Sequence, residues 1–181
     1  MVDDAFADAN QMANRTQGAI TSATHPFLDS ELEAATREIR DACGWHVAPV
    51  KELTYTHNGP TPRRVFLPAM KITTLSEVTA DGNTVDLAGV EFDENTGWTN
   101  IVACKVSVTF SAGFDEVPSN LVALALQMAA RALGSPLGAT REQTLVSSVS
   151  WSLVAPGVSG GEAILDHERS TLSAYTLGPI P

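Results

Sequence analysis

The chain has 181 residues, 44% of them hydrophobic, which is the length of one domain with room for an extension and enough apolar material for a packed core. Eleven basic residues against 21 acidic ones give a formal net charge of -10, which argues against broad binding to DNA or RNA phosphates, since that requires a basic face. No stretch approaches the ~20 consecutive apolar residues of a membrane span, and Asp3 and Asp4 stand where a secretory signal would carry positive charge, so a chain that stays in the cytosol is expected.

Residues 1–27 hold few large apolar side chains and many Asp, Asn, Gln and Thr, so the stretch is expected to form no element of its own and to act as an N-terminal arm, mobile or partner-bound. A helix is predicted over 30–43. Ser30 and Glu33 fit a capping box, Leu32, Ala35, Ile39, Ala42 and Cys43 recur at three- and four-residue steps, and Gly44 stands at the stop. From Trp45 to Phe114 short β-prone runs alternate with turn chemistry, the pattern of an antiparallel β region. The runs are 51–57, closed by Asn58-Gly59-Pro60, then 64–67, 71–79, and 85–90 after an Asp81-Gly82 turn. The stretch IVACKVSVTF is the clearest strand, and its alternation assigns Val102, Cys104, Val106, Val108 and Phe110 to the buried face.

A second helix is predicted over 118–133, with Pro118 at its start and Gly134 at its end. It is apolar on most sides, with only Gln127 and Arg131 polar in its middle, so it must pack on more than one face. Downstream, Val149, Trp151 and Leu153 alternate with serines as a one-sided strand, a Gly/Ser loop follows, and a short helix carries Leu165, Leu172 and Tyr175 on one side. A helix this short is marginal alone and must dock. The fold class is therefore α+β: a small helical bundle with an inserted antiparallel β region and an extended C-terminal docking segment. The divisions are an arm at 1–27, a core at 28–139, and a C-terminal strand and helix at 140–181.

Chemistry is sparsely signalled. Cys43 and His46 lie three positions apart in ACGWH, but no second Cys/His pair completes a zinc set, and Cys43 continues an apolar helix face where a thiolate has no positive field. That phrase reads as a helix end, with Trp45 packing over it and His46 a junction residue; Cys43 and Cys104 are expected to be reduced thiols. Glu91, Asp93 and Glu94 read as a solvated loop, and Arg63 and Arg64 as surface charge. No phosphate loop, dinucleotide fingerprint, zinc-protease helix or nucleophile elbow is present in the sequence. No catalytic residue, cofactor or metal is assigned.

Several phrases, in order, carry a resemblance: AATREIRDACGWHVAPV, RVFLPAMKITTLSEVTADGNTVD, VSVTFSAGFDEVPSNLVALALQMAARAL, and ATREQTLVSSVSWSL with AILDHERSTLSAY. Across about residues 30–176 the chain resembles the head-to-tail adaptor, or connector, proteins of long-tailed bacteriophages, particularly those infecting actinobacteria. The resemblance implies a structural virion protein without catalysis. It implies a homo-oligomeric ring of about twelve copies at the virion neck, with the portal protein above, a head-tail stopper below, and DNA passing through without specific binding. It further implies that the helical part makes the ring and that the C-terminal segment engages the portal. On that reading Val149, Trp151, Leu153, Leu165, Leu172 and Tyr175 are the expected partner-binding residues, and charging Leu172 or Tyr175 should spare the isolated fold. The alternatives are a tail terminator or head-completion protein and, from another class, a small ligand-binding module or enzyme using the β region.

Overall fold

A computed structural model describes residues 4–134, 141–143, 148–150 and 164–178; of 141–143 and 148–150 only the backbone is described. The chain has an α+β fold. Its described residues fall into two compact units, one drawn from Met1–Ala42 and Pro118–Ala174, the other from Cys43–Val117 and Tyr175–Pro181.

The first unit is helical. Helix α1, Ala9–Arg15, occupies the stretch expected to form no element. The expectation failed because a short helix needs few apolar groups when its cap is complete. Asp8 accepts from the Gln11 amide at 2.7 Å, and the Gln11 side chain accepts from the Asp8 amide at 2.9 Å, a reciprocal capping box. Met12 is fully buried, and Phe6 and Ala7 before the helix are buried as well.

Helix α2, Leu28–Cys43, begins two residues earlier than predicted, so Ser30 lies inside its first turn and is not its cap. The entry is set by backbone turns instead: the His25 amide donates to Thr21 O and the Leu28 amide to His25 O. Leu28, Leu32, Ala35, Thr36, Ile39 and Cys43 form its buried stripe, while Ala42 is only half-buried. Thr36 is the polar member, and it is satisfied twice: its hydroxyl donates to Leu32 O at 2.8 Å and accepts from the Phe6 amide at 2.9 Å. Arg40 stands 5.0 Å over the Phe6 ring and donates to Asp4 O, which ties the N-terminal segment to α2 a second time.

Helix α3, Ser119–Gly134, buries Leu121, Leu124, Ala125, Leu126, Met128, Ala129 and Ala132. At 3.6 residues per turn these span an arc of roughly 200°, so packing on more than one face is observed. Helix α4, Asp166–Leu172, follows. Leu165 and Leu172 are buried, so Leu172 is a core residue and its replacement by a charge must cost stability, contrary to the sequence expectation. Strands β5, Arg141–Gln143, and β6, Ser148–Ser150, pair antiparallel with Glu142 opposite Val149.

The second unit is a four-stranded antiparallel sheet in the order β1-β4-β2-β3. Strand β1, Lys51–Phe66, runs through the Asn58-Gly59-Pro60 stretch that reads as a turn. Prolines cannot donate to a ladder, so the chain bulges there: Asn58 faces Lys105 on β4, Trp98–Ala112, and pairing resumes only at Arg63 opposite Ala103. Strand β2, Ile72–Ala80, turns at Asp81-Gly82, both with positive φ (48° and 85°), into the two-residue β3, Asn83–Thr84. The predicted strand over 85–90 is not formed. Asp86 accepts from the Ala88 amide and starts a 3-10 turn at Leu87–Gly89 instead.

The alternation of β4 slips phase in its middle. Thr99, Ile101 and Ala103 are buried toward its start and Val106, Val108, Phe110 and Ala112 toward its end, with Val102 55% exposed and Cys104 only partly buried. Cys104 is therefore not on the buried face, as its spacing suggested. The cause is Asp81: its carboxylate accepts from the Cys104 and Lys105 amides, at 3.1 and 2.9 Å, and its amide donates to Lys105 O at 2.8 Å. Two consecutive residues are thereby held by one side chain and the strand loses one step of its pleat.

Gly97 is required by two independent constraints. Its φ is +69°, and a Cβ there would fall on the Leu67 carbonyl, whose own amide donates to Gly97 O at 2.8 Å. Gly97→Ala is expected to lower stability by about 1 to 3 kcal/mol or more, measured as a lower denaturant midpoint at unchanged m-value.

Candidate functional site

The ACGWHVAPV phrase is a structural junction within the second unit. Gly44, with φ +78°, reverses the chain after α2, and the Cys43 carbonyl accepts from the Leu177 amide at 2.8 Å. Trp45 is 6% exposed. Its indole donates to Tyr175 O at 2.6 Å, its ring lies 6.3 Å from that of Phe114, and Phe114 in turn meets the Tyr175 ring edge-on at 5.8 Å. Val47 closes the knot by accepting from the Phe114 amide at 2.8 Å. Three stretches far apart in sequence are thus joined by one aromatic cluster.

This arrangement decides the chemistry of Cys43 and His46. Cys43 is fully buried, and that burial pushes its thiol up to about 11, away from the thiolate that a nucleophile or metal ligand needs. His46 is half-buried and its Nε2 donates to Pro49 O at 2.7 Å; a carbonyl only accepts, so Nε2 carries the hydrogen.

The other sequence candidates separate as well. Asp93 accepts from the Thr96 hydroxyl and amide and from the Asn95 amide, and these bonds, in that order, hold its carboxyl below the ordinary range. It organises its own turn. Arg63 and Arg64 are exposed, with the Arg64 guanidinium 5.4 Å over the Trp98 ring. Among the described residues no group of three His, Cys, Asp or Glu side chains is placed to hold a metal ion, and no helix is long and apolar enough to cross a membrane. An open cleft of about 360 Å³ lies between the N-terminal segment and α2, lined by Asp4, Glu33, Thr36, Arg37, Arg40 and Asp41 among others. Its carboxylates and guanidiniums offset one another, so it selects no ion of one sign.

Of the expected partner-binding residues, three have described side chains. Leu165 and Leu172 are buried, and Tyr175 is half-buried in the aromatic cluster. Val149 lies on β6, with only its backbone described, while Trp151 and Leu153 lie outside the described residues.

The residue that sequence reading missed is Glu168. It is 3% exposed, yet charged, and three bonds hold it: Arg131 Nη1 at 2.6 Å, Arg131 Nη2 at 3.2 Å and the Leu165 amide at 2.8 Å. A bidentate guanidinium and a helix-start amide satisfy the carboxylate as water would. Its available signal was position: a Glu three residues past the helix start reaches back to the cap amide. No protein-family model matches this sequence, and no curated protein is detectably similar to it.

Two outcomes are expected here. Arg131→Ala leaves the Glu168 carboxylate buried and uncompensated, and should cost about 3 to 5 kcal/mol in chemical denaturation, whereas Arg131→Met with Glu168→Leu should recover most of that loss. Cys43 should react with a thiol reagent only once denaturant unfolds the chain. Because its folded value, about 11, lies above the ordinary 9.0, stability from this group is complete below pH 9 and falls as pH rises toward 11. The fall between those two pH values should be smaller in Cys43→Ala than in the parent protein.

Proposed function

We propose that this chain is a structural subunit of a long-tailed bacteriophage neck, the head-to-tail adaptor whose ring joins the portal of the head to the tail and continues the DNA channel. The observation that carries the reading is the ordered series of phrases between residues 30 and 176. Their order and spacing, more than any one of them, match the adaptor pattern. The fold supports it in one respect that is independent of those phrases: an antiparallel β region stands in chain order between two long helices, α2 and α3.

One physical feature fits the same role. An acidic chain, with a formal net charge of -10, suits the wall of a channel through which DNA passes without being held. The reading asks for no catalytic group. In it the ring stands at the virion neck after synthesis of the chain in the host cytoplasm, with the portal on one side and a head-tail stopper on the other.

Electron cryo-microscopy of purified virions tests this directly. About twelve copies in a ring against the portal are expected, as the resemblance implies. Copies found only at the tail end, in a six-fold ring, would assign the chain to tail termination, and a neck without any copy would remove the reading altogether.

A further inference from the structure

Among the described residues, strand β1 is paired on one side only: β4 is its single neighbour, and its outer edge carries no partner strand. Edge strands are normally blunted by proline, bulges or charge. Here Pro60, Pro62 and the bulge all lie beyond Asn58, which leaves Glu52–Asn58 as seven residues of regular, proline-free edge. Within it Leu53-Thr54-Tyr55-Thr56 is strongly β-prone and uncharged.

The side chains show the same incompleteness. On the apolar face the cross-strand rows are Leu75–Phe110–Leu53, Val78–Val108–Tyr55 and Ala80–Val106–His57. Phe110, Val108 and Val106 are buried, whereas Leu53, Tyr55 and His57 are only half-covered. The first two rows end at β1, in Leu53 and Tyr55, with apolar surface still in water.

We propose that this edge pairs antiparallel with the β1 edge of a second copy of the chain, about a two-fold axis perpendicular to the sheet, so that two four-stranded sheets become one. Such an axis keeps each face continuous, and every residue meets one of its own parity. Registers centred on Lys51 or Glu52 would set like charges face to face. The register centred on Tyr55 uses the whole of Glu52–Asn58 and has no such clash. It sets Tyr55 against the second copy's Tyr55, Leu53 against His57, Thr54 against Thr56, and Glu52 against Asn58. The polar face gains hydroxyl and carboxylate-amide pairs, and the apolar rows run on across the junction. The contact is isologous and does not rest on the ring reading, which needs head-to-tail contacts; failure of either leaves the other standing.

Cysteine cross-linking in full-length protein carrying Cys104→Ser tests the register. Tyr55→Cys should form a covalent dimer under mild oxidation, while Glu52→Cys should not, because the two copies of residue 52 lie ~20 Å apart at 3.4 Å per residue. Should Tyr55→Cys fold poorly, Thr54→Cys and Thr56→Cys change exposed positions only. Mixed together, these two should cross-link to each other, and neither to itself. Sedimentation of the parent chain should show a concentration-dependent dimer that Leu53→Lys with Tyr55→Lys abolishes at unchanged far-ultraviolet circular dichroism. A parent chain that stays monomeric throughout, a dimer indifferent to those lysines, or equal cross-linking at every position would overturn the proposal.

Discussion

The β unit rests on a single strand that must serve two ladders. From Val106 to Ala112, β4 is paired with β1 on one side and β2 on the other, so its backbone amides and carbonyls are satisfied in both directions and its buried side chains form the middle of every row. That constraint explains the accommodations around it. The proline bulge falls on β1, where one side of the ladder is open, and the phase slip falls on β4 just before its doubly paired part begins, where the Asp81 carboxylate replaces a missing backbone partner. Opposite the shared segment the extra residues fall on β2, between Ile72 and Thr74 and between Leu75 and Glu77, so β4 itself stays regular there.

The helical unit is governed by a different requirement, the satisfaction of buried polar groups. Thr36 in α2 and Glu168 in α4 are both nearly inaccessible, and each is held by bonds to residues distant in sequence: Phe6 for the first, Arg131 for the second. Such groups add little net stability when satisfied, but they are costly when they are not, so they fix which segment lies against which. Phe6 and Leu165, which a hydrophobic pattern alone would leave free to slide, are set by these bonds to one position.

Much of the architecture is legible in the sequence. Helix α2 is visible in the three- and four-residue recurrence of Leu32, Ala35, Ile39 and Cys43, helix α3 in its unbroken apolar faces, and the β2 turn in Asp81-Gly82, because each depends on neighbours within a few residues. The burial of Cys43 is legible for the same reason: it continues an apolar helix stripe. What was not legible involves partners at long range. The Asn58-Gly59-Pro60 stretch has turn chemistry and yet lies within a strand, since β4 holds the chain on either side of it. Val85–Val90 has strand composition and yet is not a strand, since the local Asp86 cap takes hold first. In α1 the capping signal of Asp8 and Gln11 was present but outweighed by polar composition.

The sequence by itself therefore determined the class of the fold, the positions of its main helices and the absence of a recognisable chemical motif, all of which follow from local periodicity and side-chain type. Only the tertiary structure decided which apolar residues are core and which are surface. It turned Leu165 and Leu172 inward, moved Cys104 off the buried face and, among the described residues, gave β1 a single neighbour, because burial and strand pairing are set by what lies across space, and a pattern along the chain carries no record of that.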